Sequence, residues 1–291
     1  MLPTSNPPLS TCLVECPRDA MQGWHRFIPT KDKIRYINSL LKVGFDTIDF
    51  GSFVSPKAIP QMVDTKEVLQ GLKLQGSSSK LLAIVANTRG AAEAVIFDEI
   101  AYIGFPFSVS PTFQQKNTNS TIDESLARVE EIQELCLKNN KQLVLYLSMG
   151  FGNPYGDAYN QDILLLWADQ MVKRGITIIS LADTVGLAKP QQITDALNAL
   201  IPAYKHIQFG VHLHSAQLSF KDKLQAAIAA GCQRFDGALK GIGGCPMAQN
   251  DLIGNMPTEL MIAYFESQNL PTGLDKNALL ESLVIASEIF V

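Results

Sequence analysis

The sequence has no run of apolar residues near the roughly 20 that a membrane-crossing helix needs. It also has no basic cluster interleaved with aromatics, the usual footprint of a nucleic-acid surface. Neither a membrane span nor a nucleic-acid partner is therefore expected. The opening MLPTSNPPLST carries neither a basic nor an apolar stretch, so it does not read as a signal peptide. Cysteine is sparse and odd in number: five among 291 residues, at Cys12, Cys16, Cys136, Cys232 and Cys245. No two are spaced as C-x-x-C. That set reads as reduced, mostly buried thiols in a cytoplasmic protein rather than as a disulfide framework. No Gly/Ser-rich linker or shift in composition divides the chain, which predicts one domain over 1–291. No G-x-G-x-x-G follows the first apolar run, which weighs against a doubly wound dinucleotide-binding sheet. Histidine is scarcer still. There are four, and two of them, His212 and His214, fall in the single stretch GVHLHS (210–215).

Short apolar runs alternate with amphipathic segments along the whole chain. TCLVEC (11–16), FDTIDF (45–50), KLLAIVA (80–86), a less distinct run near 101–109, QLVLYLS (142–148), ITIISLA (176–182), IQFGVHLH (207–214) and QRFDGAL (233–239) read as strands. Helical patterns fall at 30–44, within 57–75, near 89–100, and at 120–140, 160–174, 190–203 and 216–230, with 247–291 helical throughout. In the first, Ile34, Ile37, Leu40 and Leu41 share a face, Thr30 is placed to cap and Gly44 to terminate. The segment 120–140 opens on a capping box, Thr121 to Glu124. Strict β-α alternation implies a parallel sheet. Eight such units imply an α/β protein of the (β/α)8 TIM-barrel class, with 247–291 as extra C-terminal helices. Catalytic groups in such barrels stand at the C-terminal ends of the strands.

Those ends are unusually polar. Strand one leads into Glu15, Arg18, Asp19 and Gln22; strand two ends at Asp49; strand six at Asp183 and Thr184; strand seven at His212 and His214; strand eight leads to Cys245 and Asn255. Each has a plainer explanation. The histidines could be hydrogen-bonded core residues, Asp183-Thr184 a helix cap, Arg18-Asp19 a local ion pair, Cys245 an inert thiol. Their convergence on one rim favours chemistry, because an apolar core tolerates charge only when it is paired or metal-bound. Residues i and i+2 of a strand point the same way, so His212 and His214 can offer two nitrogens to one ion. A carboxylate with two imidazoles suits a divalent cation. An amide oxygen such as that of Asn255 could add a ligand, and hard oxygen donors keep Mg²⁺ or Mn²⁺ in play. Gly243, Gly244 and Pro246 around Cys245 are loop residues, which argues for an accessible thiol.

With these residues in hand, the chain resembles the 3-hydroxy-3-methylglutaryl-CoA lyases of the DRE-TIM metallolyase group, from about residue 11 to about 285. The family's P-R-D-G-x-Q motif is matched by Pro17-Arg18-Asp19-Ala20-Met21-Gln22. SFVSPKAIPQMVD (52–64) is similar to the lyases' second βα-loop and separates the chain from the related synthases. SLADTVG (180–186), HLH (212–214), GIGGCPMAQ (241–249) and GNMPTE (254–259) match the family's remaining motifs. The resemblance implies that Asp19, His212, His214 and Asn255 bind a divalent cation. It implies that Arg18 neutralises the thioester enolate oxygen and that Cys245 is the acid in proton transfer to the acetyl-CoA carbanion. Glu15, Gln22, Asp49 and Asp183 would support the site, and Tyr155 matches a tyrosine of the lyases. Ala20 stands where glycine is usual, Asp49 for glutamate, Ser215 for aspartate, Cys16 for glycine, and Gly152-Asn153 for Gly-Cys.

The implied reaction is a retro-Claisen cleavage of 3-hydroxy-3-methylglutaryl-CoA to acetyl-CoA and acetoacetate by a metal-dependent homodimer. The base that takes the substrate's hydroxyl proton is His212 or Asp183. Two rivals stand beside this reading: another acyl-CoA lyase or Claisen-type synthase on the same scaffold, and a barrel that binds metal without catalysis.

Overall fold

In a computed structural model of the chain, residues 11–215, 219–244 and 253–291 are described. The apolar runs form strands β1 (Cys12–Glu15), β2 (Thr47–Ser52), β3 (Lys80–Ile84), β4 (Ile100–Ser108), β5 (Gln142–Ser148), β6 (Ile178–Asp183), β7 (Gln208–Ser215) and β8 (Arg234–Gly237). Each pairs in parallel with the next, and β8 pairs in parallel with β1. The sheet is thus a closed eight-stranded barrel, as the alternation predicts.

Closure explains why the strands read as nearly continuous apolar runs: both faces are buried. Leu82, Ile84, Tyr102, Val144, Tyr146 and Ile178 form one cluster. Their strand neighbours Leu81, Ala83, Ile103, Leu143, Leu145 and Ile179 belong to the larger core beneath the helices.

The helices are α1 (Pro17–Gln22), α2 (Thr30–Val43), α3 (Thr65–Gln70), α4 (Thr88–Ala94), α5 (Pro111–Thr118), α6 (Ile122–Lys138), α7 (Gln161–Lys173), α8 (Pro190–Ala203), α9 (Phe220–Ala229), α10 (Thr258–Ser267) and α11 (Lys276–Ile289). Gly44 ends α2 in the left-handed conformation, at φ 89°. The Thr121–Glu124 capping box opens α6. Thr30, by contrast, does not cap α2. Pro29 occupies that position, and the Thr30 hydroxyl is drawn 2.7 Å to Asp64 Oδ2 instead.

Three short elements depart from the sequence reading. α1 and α5 have six and eight residues, too few to show a periodic face. The segment 247–291 is not helical throughout: β9 (Gly254–Asn255) pairs antiparallel with β7 before α10 begins. Positions 247–252 lie outside the described residues, as do 216–218 at the start of the seventh predicted helix. α10 follows β8 as the eighth barrel helix, and α11 is an additional helix packed along α2.

Candidate active site

β1 runs straight into α1, with Pro17 in the first turn, where a missing N–H costs nothing. This short helix carries Arg18 and Asp19 at the mouth of the barrel. Arg18 grips Asp49, midway along β2: Nε lies 3.2 and 3.0 Å from the two carboxylate oxygens, and Nη2 also donates to Oδ2. Nη1 donates to Asp19 Oδ1 at 2.9 Å. Burial pushes the Asp49 carboxyl up to about 6, with the guanidinium pulling the other way. Asp49 and Asp19 together outweigh the burial of Arg18 and hold its charge. Ala20 lies inside α1 and has no positive φ, so alanine in place of the usual glycine brings no backbone strain.

His212 and His214 point to one side of β7, and their Nε2 atoms are 3.1 Å apart. Asp236 on β8 holds Nδ1 of His212 at 3.2 Å. The His214 ring hydrogen-bonds the backbone of Thr184. With Nδ1–H of a neutral His212 directed at Asp236, its Nε2 presents a lone pair. Asp19 completes a group whose ligand atoms all lie within 4.8 Å of one another. Burial pushes the Asp19 carboxyl up, but Arg18 and the two imidazoles outweigh it and hold it below the usual carboxylate range. Burial, then the neighbouring His212, lowers His214 to about 4, so it is neutral near pH 7. Two imidazole nitrogens converging on an ionised carboxylate fit a divalent cation.

Cys16, His212 and Asp236 form a second such group. It is the poorer site, because burial drives the Cys16 thiol well above its ordinary value and the thiolate is the ligand form.

Asn255 reaches the first group through β9. It is the register partner of His214, and its Nδ2 donates to Asp19 Oδ2 at 2.7 Å and to the Ile242 carbonyl at 2.9 Å.

A cavity of ≈ 160 Å³ opens onto this cluster. Arg18, Asp19, Gln22, His212 and His214 line it, together with Ser148 and Thr184. Gln22 donates to Asp19 Oδ1 at 2.7 Å. The remaining wall is mostly apolar, including Val54, Ala58, Ile59, Ile84, Pro106 and Phe113, with Asn117 and Thr118 as polar members.

Several residues singled out in the sequence lie behind this lining. Glu15 accepts from Leu239 N at 2.9 Å and Thr258 Oγ1 at 2.6 Å, and burial raises it to about 8. Asp183 is 1% exposed and bound to Lys223 Nζ at 2.6 Å, so it does not reach the cavity. Tyr155 stacks on Phe113 at 6.3 Å, with Lys116 over its ring. Cys245 lies outside the described residues. The glycines leading to it, Gly241, Gly243 and Gly244, all have positive φ, as its loop context predicts.

Two charged residues escaped the sequence reading. Asp236 holds His212, and its i, i+2 spacing from Arg234 was the available signal. Lys223 donates to Asp183 Oδ2, to the Gly186 carbonyl at 3.0 Å and to the His214 carbonyl at 2.8 Å. A single lysine on an amphipathic helix gives no warning of such a role.

The HMGL-like family model matches residues 13–284. The chain belongs to that family. It is 32% identical over 275 residues to the hydroxymethylglutaryl-CoA lyase of Bacillus subtilis, covering 94% of this chain and 89% of that protein. It is 29% identical over 279 residues to the 3-hydroxy-3-isohexenylglutaryl-CoA/hydroxymethylglutaryl-CoA lyase of Pseudomonas aeruginosa, covering 95% and 92%. The HMG-CoA lyase of Acinetobacter baumannii, solved with coenzyme A and 3-methylmalate, superposes with a TM-score of 0.90 at 30% identity, covering 99% of this chain and 93% of that one. In this chain the Asp19–His212–His214 group forms where the Pro17-Arg18-Asp19 and His212-Leu213-His214 stretches meet.

Proposed function

We propose that the protein is a divalent-metal-dependent carbon–carbon lyase that cleaves 3-hydroxy-3-methylglutaryl-CoA to acetyl-CoA and acetoacetate. One observation carries the reading: the two histidine Nε2 atoms and the Asp19 carboxylate converge beside a guanidinium clamped by Asp49. Asp19, His212, His214 and Asn255 would hold the cation, Mg²⁺ or Mn²⁺, which when bound supplies Lewis acidity towards substrate oxygens.

The protein's own groups carry the rest. Of the five N–H bonds of Arg18, three point at Asp49 and Asp19. Two remain for the thioester oxygen, where negative charge develops as the C–C bond breaks. Of the two candidates for taking the hydroxyl proton, His212 lines the cavity and Asp183 does not. His212 Nε2 offers one lone pair, so it would take that proton only where it does not hold the cation. Cys245 is the proton donor to the acetyl-CoA carbon. The apolar wall of Val54, Ala58, Ile59, Ile84, Pro106 and Phe113 favours a second reading, a related acyl-CoA with a larger apolar group at C3. Assay of the purified protein with Mg²⁺ or Mn²⁺ against both substrate types tests both. Formation of acetyl-CoA and acetoacetate is expected from 3-hydroxy-3-methylglutaryl-CoA. Absence of cleavage with either metal overturns the proposal.

A further inference from the structure

Beneath the candidate metal centre the barrel interior holds an arginine. Arg234 on β8 is 1% exposed, two residues before Asp236, in register with Cys12 on β1 and Gly210 on β7. Its surroundings include the rings of Tyr102 and Tyr146, members of the apolar cluster between the strands. A guanidinium in such a place is costly unless it balances a charge.

The space for it is built. A Cβ on Gly210 would stand 2.9 Å from Arg234 Cγ and 3.0 Å from its Cβ and Cδ. The arginine stem lies where any other side chain at position 210 would go. Nη1 reaches Cys12 Sγ at 3.5 Å. Nε lies 4.0 Å from Asp236 Oδ1, and Arg234 Nε, Arg234 Nη2 and Asp236 Oδ1 have no hydrogen-bond partner among the described residues. The other Asp236 oxygen is the one that holds His212 Nδ1.

The three residues therefore form a chain of charge and hydrogen bond, Arg234 to Asp236 to His212. We infer that Arg234 is a positioning residue: it supplies the counter-charge that keeps Asp236 in place, and Asp236 in turn keeps the Nε2 lone pair of His212 turned to the cation. The inference rests on the reading of Asp19, His212 and His214 as a cation site. It adds that this chain sets its affinity from inside the barrel, through a residue that touches neither metal nor substrate. A carboxylate behind a metal-binding imidazole commonly changes affinity by about 10- to 100-fold; here the carboxylate has its own support.

The test is Mn²⁺ binding by metal-free protein, measured by calorimetry for wild type, Arg234→Met, Arg234→Lys, Asp236→Asn and the Arg234→Met/Asp236→Asn double variant, with thermal melts alongside. Arg234→Met should weaken Mn²⁺ by about 10-fold or more. Arg234→Lys, which keeps the charge, should stay within about 3-fold of wild type. In the Asp236→Asn background, Arg234→Met should change affinity by less than about 2-fold, because the route to His212 is already cut. A merely structural arginine would lower the melting temperature in both backgrounds and leave affinity alone. Wild-type affinity in Arg234→Met, or an equal loss with and without Asp236, overturns the inference. If Arg234→Met does not fold, Arg234→Lys decides: retained affinity supports the inference and a ten-fold loss overturns it. Failure of the wild type to bind Mn²⁺ would instead overturn the cation-site reading itself.

Discussion

His214 and Asn255 are register partners across the antiparallel β7–β9 pair at the mouth of the barrel. Directly opposite residues in such a pair project to the same side. Two residues of backbone pairing thus bring the Asn255 amide beside the His214 ring, where it also meets Asp19.

Removing either histidine should empty this centre. His212→Ala and His214→Ala should lose bound metal and turnover while keeping the barrel's circular dichroism. The pH dependence has a definite sign. His214 stays neutral down to about 4. Burial lowers His212, but the hydrogen bond and charge of Asp236, with Asp19, outweigh it and leave its pKa above the usual value. A ligand imidazole must be neutral. Metal affinity should therefore be full at alkaline pH and fall as pH drops through a value above the ordinary histidine pKa of about 6.5. Full activity after exhaustive chelation would refute the metal role.

Arg18→Lys keeps a positive charge but loses the planar fork that grips Asp49. We expect kcat to fall by about 10²-fold or more, the scale of losing one charge-stabilising donor, with metal content retained. Unchanged kcat would make the Arg18–Asp49 pair purely structural.

Glu15 makes folding stability pH-dependent. The folded protein holds its proton up to about 8, against an ordinary value of 4.5. Its contribution is thus greatest below pH 4.5 and is lost as pH rises towards 8, by up to about 1.4 kcal/mol per pH unit. Glu15→Gln removes that loss. The melting temperature of the variant relative to wild type should rise between pH 5 and pH 9; a constant difference would show that Glu15 is ionised in the fold.

Cys245→Ser should preserve fold and metal but lose most turnover, since a hydroxyl is a far weaker acid than a thiol. Thiol alkylation should inactivate the wild type, with bound acyl-CoA protecting it. Wild-type turnover in the serine variant would assign the acid to another group.

Gly210→Ala should destabilise the wild type, because the added methyl meets the Arg234 stem at 2.9 Å. In an Arg234→Met background the flexible thioether can yield, and the penalty should shrink by at least half. Equal penalties, read by urea denaturation, would show that the contact relaxes elsewhere.

The barrel was legible because each strand is an apolar run and each of the longer helices repeats its pattern over several turns. That His212 and His214 share a face was legible for a similar reason: a period of two on a strand turns both side chains the same way. β9 was not, since two residues carry no period, so the sequence offered Asn255 as an oxygen donor without showing its pairing with His214. The partner of Asp183 was not legible, because the sequence shows a carboxylate at a strand end without the lysine 40 positions later that binds it. Arg234 and Asp236 alternate as the histidines do, but nothing in the sequence says which face of β8 turns inward.

Lys223 has a consequence for how the protein meets salt. Its ammonium ties the end of β6, the turn at Gly186 and the end of β7 to one buried point. The additional helix α11, by contrast, is joined to α2 by the exposed pairs Arg35–Glu288 and Lys42–Glu281. Dissolved ions screen exposed pairs and hardly reach buried ones. Raising ionic strength therefore loosens the charged contacts on the outside of the barrel first, and the rim that carries His214 keeps its shape in brine as in dilute buffer.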